Sequence, residues 1–125
     1  ILKKGTDAAI IACGEMVKPA LDAARALENE GISVSVVDMY CVKPIDEKTL
    51  LKAAENVNAV LTIEEHSIYG GLGSMVAQII SRECPKKVYN MALPDEPVIT
   101  GSSKEVFEYY GMNSEGIRKK IKELI

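Results

Sequence analysis

The chain has 125 residues, 47% of them hydrophobic and 26% charged, with a net charge of −3 from 15 basic and 18 acidic side chains. That is apolar material for one compact α/β domain over residues 1–125, and the intermixed charge argues against disorder. The acidic balance speaks against a nucleic acid or an anionic membrane surface as partner, and no apolar run reaches the roughly 20 residues of a membrane-spanning helix.

No secretory leader pattern surrounds Lys3 and Lys4. Cys13, Cys41 and Cys84 are widely spaced and odd in number. They read as reduced thiols of a cytoplasmic protein rather than as a disulfide framework or a zinc site. The chain starts at Ile1 rather than Met, so it reads as a piece of a longer protein or as a trimmed one.

In chain order, residues 8–13 (AAIIAC) form a short continuous apolar run, the mark of a strand buried on both faces. A helix follows with Met16, Val17, Ala20, Leu21, Ala24 and Leu27 at helical spacing. Pro19 confines its start to residues 15–18, and Gly31 ends it. Residues 33–39 (SVSVVDM) make a second strand. Pro44 keeps the next segment extended, and Asp46 caps a helix bearing Leu50, Leu51 and Ala54. Residues 59–64 make a third strand. Leu72, Met75, Val76, Ile79 and Ile80 form one face of a third helix, which stops at Cys84-Pro85, and residues 87–93 make a fourth strand.

Residues 93–101 read as an irregular surface crossing. Ser102 with Glu105 is a capping-box pattern, Gly111 closes that helix, and Asn113 opens the last one, with Ile117, Ile121 and Leu124 on one face. Arg118, Lys119, Lys120 and Lys122 read as a solvated face with cations near the helix C-terminus. The alternation of strands and helices predicts a three-layer sandwich: a mainly parallel sheet of four to five strands with helices on both faces.

The chemistry-bearing residues concentrate at one place. Glu64, Glu65 and His66 end the third strand, and Gly70, Gly71, Gly73 and Ser74 lead into the third helix. His66 is the only side chain with an unperturbed pKa near neutrality, and an adjoining carboxylate could orient it. Glycines ahead of a helix could let backbone N–H groups approach an anion. Yet G-x-S-x-G, G-x-G-x-x-G and Walker A patterns are all absent. These seven residues are therefore read as an interface or anion loop, with no catalytic, cofactor-binding or metal-binding residue assigned. Asp38, at a strand end, is expected to satisfy neighbouring backbone donors, and Cys13 to be a small buried apolar residue.

Three segments together carry a resemblance. Residues 37–46 (VDMYCVKPID) are similar to the "D-x-x-x-x-K-P-x-D" element of transketolase C-terminal domains. Residues 62–74 resemble the family's "E-E/D-H…G-G-x-G" turn. Leu93-Pro94-Asp95, Gly101 and Tyr110-Gly111-Met112 resemble its tail. The match runs in order through essentially the whole chain, and the Glu-Glu-His form looks nearest to a transketolase, especially a split small subunit.

The resemblance implies an enzyme that uses thiamine diphosphate and Mg²⁺ to move two-carbon ketol units between sugar phosphates. Its cofactor sits between pyrophosphate- and pyrimidine-binding domains, in the same chain or in a separate subunit, and the enzyme is a homodimer. The pyrophosphate signature "G-D-G…N" does not occur here. The implied role is therefore support of assembly and dimerisation, with no cofactor bound by this chain alone. Two alternatives stand beside it. One is the same domain of a deoxyxylulose-phosphate synthase or a 2-oxoacid dehydrogenase E1 β subunit. The other is a regulatory module binding an anion or nucleotide at residues 70–74.

Overall fold

The computed structural model describes all 125 residues. Strands β1 (Ala8–Ala12), β2 (Val34–Asp38), β3 (Ala59–Ser67) and β4 (Lys87–Leu93) form one parallel sheet in the order β2-β1-β3-β4. Helices α1 (Val17–Asn29), α2 (Glu47–Ala54), α3 (Leu72–Glu83), α4 (Ser103–Tyr109) and α5 (Ser114–Leu124) complete the three layers. Four strands are regular. The N-terminal residues supply only an antiparallel bridge, Lys3 to Val36, at the β2 edge.

Every residue of β1 is buried, as expected of a central strand covered on both faces. Its alternating side chains divide the core. Ala8, Ile10 and Ala12 pack with Leu27 of α1 and with Ile117 and Ile121 of α5. Ala9 and Ile11 pack on the opposite face with Leu50 of α2 and with Val76 and Ile80 of α3. Apolar contact across both faces holds the sheet between its helices.

The helix ends follow local chemistry. Gly31, at φ +81°, closes α1: its N–H donates to the Glu28 carbonyl and the Ile32 N–H to the Leu27 carbonyl. Gly111, at φ +69°, closes α4 in the same way. Asp46 accepts from the Thr49 N–H at 2.9 Å, Asn113 accepts from Gly116, and Ser102 and Glu105 form the reciprocal capping box.

Two readings need amendment. The third strand does not stop at Glu64 but continues to Ser67 through a register shift after Ile63. β4 reaches that far, and the Ile68 N–H donates to the Leu93 carbonyl. The basic run of the last helix is also more than a solvated face. Arg118 donates to Glu30 at 2.9 Å and Lys122 pairs with the same carboxylate, clasping α5 to the end of α1.

Candidate functional site at the carboxyl end of the sheet

From β1 the chain passes to β2 on one side and then crosses to β3 on the other, so the order reverses between β1 and β3. A crevice outside the strand ends at such a switch point is the usual ligand position in open α/β sheets. A cavity of about 360 Å³ lies there, lined by Cys13, Glu15, Val42, Glu64, Glu65, His66, Gly70, Gly71 and Met75 among others.

Five of the seven residues singled out in the sequence, Glu64, Glu65, His66, Gly70 and Gly71, line this cavity, but their side chains face different partners. Glu64 is only 3% exposed, whereas Glu65 and His66 are exposed. The strand pleat separates neighbours onto opposite faces. Glu64 points under the first turn of α3, where its carboxylate accepts from the Leu72 N–H at 2.7 Å and the Gly73 N–H at 2.8 Å. It thus satisfies two of the four orphan donors of that helix and sets negative charge against the positive end of its dipole. The N–H groups that an external anion would need are engaged by the chain's own side chain.

The glycines follow from this arrangement. A Cβ on Gly71 would lie 2.2 Å from the Glu64 Oε2, and one on Gly73 would lie 2.6 Å from the Asn90 Cγ and 2.8 Å from the Thr62 Oγ1. Gly70, at φ +77°, turns the loop, and its N–H donates to Ser74 Oγ at 3.0 Å. The glycine-rich run brings α3 close to β3 and β4. Beneath it Thr62 Oγ1 donates to Asn90 Oδ1 at 3.0 Å, a pair that nothing in the sequence pattern announced.

The chemistry left over is sparse. His66 Nδ1 is 3.0 Å from the carbonyl of Ser67, its own neighbour, and no carboxylate orients the ring. Cys13 is half-buried. Burial pushes its thiol pKa up, and the Glu64 and Asp38 charges push the same way, so the thiolate is disfavoured. Asp38 does not make the backbone hydrogen bonds expected of it, and at the opposite end of the sheet Asp7 accepts from the Ser33 N–H at 2.6 Å.

The family model "Transketolase, C-terminal domain" matches residues 1–117. The chain is 44% identical to a subunit of the apulose-4-phosphate transketolase of Phocaeicola vulgatus, covering 99% of this chain and 39% of that protein. It is 42% identical to a putative transketolase C-terminal section of Methanocaldococcus jannaschii, covering 98% of this chain and 38% of that one. The chain therefore spans about two fifths of the length of these relatives.

A 1-deoxy-D-xylulose-5-phosphate synthase of Magnetococcus marinus is 41% identical over 99% of this chain, which is 20% of the synthase. Among solved structures, a split-gene transketolase described as an inactive beta4 tetramer superposes with a TM-score of 0.90 at 40% identity, covering 99% of this chain and 41% of that one. A Pichia stipitis transketolase shares the fold at TM-score 0.68 and 20% identity, over 99% of this chain and 17% of that one. By its fold, its glycine-packed α3 turn and these matches, the chain belongs to the transketolase C-terminal domain family.

Proposed function

We propose that this chain is the assembly domain of a thiamine diphosphate-dependent transferase that moves two-carbon ketol units between sugar phosphates, and that it is inactive by itself. The observation that carries the reading is the fate of Glu64. The carboxylate buried at the sheet's switch point is consumed by α3, and what remains there forms neither an acid–base pair nor an open anion site. Thiamine diphosphate with Mg²⁺ requires donors for a pyrophosphate and oxygen ligands for the metal. The residues do not fit such a group. Two N–H groups of the first α3 turn are taken by Glu64, and His, Cys, Asp and Glu side chains nowhere gather in threes that could hold an ion.

Cofactor and metal are accordingly assigned to the pyrophosphate- and pyrimidine-binding domains of the same enzyme, whether upstream in the same chain or on a companion subunit. The working assembly is a homodimer in the cytoplasm. Three free cysteines support that compartment. The tetrameric split-gene neighbour supports association of such chains with one another.

Calorimetry of this chain with thiamine diphosphate and Mg²⁺ tests the assignment. No binding is expected at micromolar cofactor, and a micromolar Kd would overturn it. A second reading rests on the 41% identity to the Magnetococcus marinus synthase, which makes the assembled enzyme a 1-deoxy-D-xylulose-5-phosphate synthase. Formation of 1-deoxy-D-xylulose 5-phosphate by the assembled enzyme would favour that reading. Two-carbon ketol transfer between sugar phosphates would favour the first.

A further inference from the structure

The two most exposed aromatic side chains both stand at the carboxyl end of the sheet. Tyr40 is 89% exposed and Tyr69 is 70% exposed, on the loops that follow β2 and β3. Val42 links these loops, because it lines one cavity with His66 and Gly70. Large amphipathic side chains left in water are the type that anchors an interface.

The loops that carry them are held by structure. Val42 bridges to Ile45, Asp46 caps α2, Glu64 ties down α3, and the Gly70 N–H donates to Ser74. The tyrosines therefore stand on fixed frames, which lowers the ordering cost of docking.

The N-terminal segment indicates what reaches this surface. The N–H groups of Leu2 and Lys3 donate to the Val36 carbonyl, and the Val36 N–H donates back to the carbonyl of Lys3. This pairing is antiparallel. Followed toward Ile1, the segment runs along β2 toward Asp38, and Ile1 lines a cavity with Asp38, Tyr40 and Cys41. Residues joined ahead of Ile1 would continue onto the Tyr40 loop. Glu15 and Glu65 line the β1–β3 cavity beside Val42 and give it acidic walls.

We infer that the surface bearing Tyr40, Val42 and Tyr69 receives the polypeptide that precedes this domain in the full-length subunit. That polypeptide closes the β1–β3 cavity and sets basic side chains against Glu15 and Glu65. The inference rests on the proposed function only in requiring a longer subunit, since the domain makes up 39% and 38% of the two relatives above. It does not depend on which reaction the enzyme performs.

Hydroxyl-radical footprinting of the full-length subunit tests it with a control inside the same molecule. Tyr109, 68% exposed on α4, matches Tyr69 in exposure and lies outside the proposed surface. Tyr40 and Tyr69 are expected to label at least about fivefold more slowly than Tyr109, as side chains in an interface core lose water contact. Labelling at rates equal to or above that of Tyr109 overturns the inference. Protection that vanishes on dilution also overturns it, because it assigns the surface to a second copy. Ketol transfer measured on the assembled enzyme from the same preparation separates the two proposals. Activity with unprotected tyrosines rejects only the surface, and protection without activity rejects only the reaction.

Discussion

Replacing Glu64 removes an acceptor from two buried donors at once, and the cost can be worked from the geometry. The side chain is 3% exposed and accepts from Leu72 and Gly73 at 2.7 and 2.8 Å. A hydrogen bond to a charged group contributes about 1.5–3 kcal/mol, and a buried donor left unpaired costs on the order of 1–3 kcal/mol. The charge at the helix N-terminus adds roughly 0.5–1 kcal/mol. Allowing for overlap between these contributions, Glu64→Ala should destabilise the domain by about 3–5 kcal/mol, a large share of the roughly 5–15 kcal/mol typical of a folded domain.

Glu64→Gln keeps one acceptor but turns an amide N–H toward the second donor, so about 2 kcal/mol is expected. With a urea m-value of about 2 kcal/mol/M, Glu64→Ala should lower the unfolding midpoint by about 1.5–2.5 M. The Gly71→Ala methyl would collide with the same carboxylate. Its cost should therefore shrink by at least about 1 kcal/mol in the Glu64→Ala background, a coupling that a double-mutant cycle reads directly. A Glu64→Ala loss below about 1 kcal/mol, or strict additivity with Gly71→Ala, would refute the account of this turn.

Three further outcomes are expected. Gly73→Ala forces a methyl to 2.6 Å from Asn90 and should cost about 1–3 kcal/mol by urea unfolding, with part of the loss recovered in Asn90→Ala. Glu30 is held below the ordinary carboxylate range, first by the Lys122 hydrogen bond and then by Arg118. Its contribution is therefore fully present above the ordinary carboxylate pKa and is lost as pH falls through the depressed folded value. Unfolding midpoints taken from about pH 6 down to about pH 3 should fall less steeply in Glu30→Gln than in the parent, and parallel curves would count against the α1–α5 clasp. Ser102→Ala opens the capping box and should cost about 1 kcal/mol. Faster hydrogen exchange confined to the first turn of α4 would locate that loss in the cap.

The sequence carried local physics well and long-range polar pairing poorly. The run at residues 8–13 could only be a strand covered on both faces. Ser102 with Glu105, Asn113, Gly31 and Gly111 marked helix ends whose partners lie within a few residues. The third strand was drawn short because its last residues pair with β4 from the far side of α3, and the polar letters of Glu65 and His66 outweighed that unseen partner. The Glu30 clasp joins residues 88 apart in the chain, so no window of sequence could hold it. Closeness in sequence sets Glu64 beside His66, whereas its carboxylate meets the Leu72 and Gly73 N–H groups eight and nine residues on.

In an open α/β sheet the switch point and the helix N-terminus beside it form a ready anion site, and three glycines with a serine are what such a site uses. Here the glycines serve a different end. Gly71 leaves room for the Glu64 carboxylate, and Gly73 lets α3 settle on Thr62 and Asn90. A carboxylate supplied by the chain fixes the turn without a ligand, so the loop holds its shape whether or not anything is bound. A loop with a constant shape and an exposed tyrosine suits permanent contact with protein better than reversible capture of a phosphate.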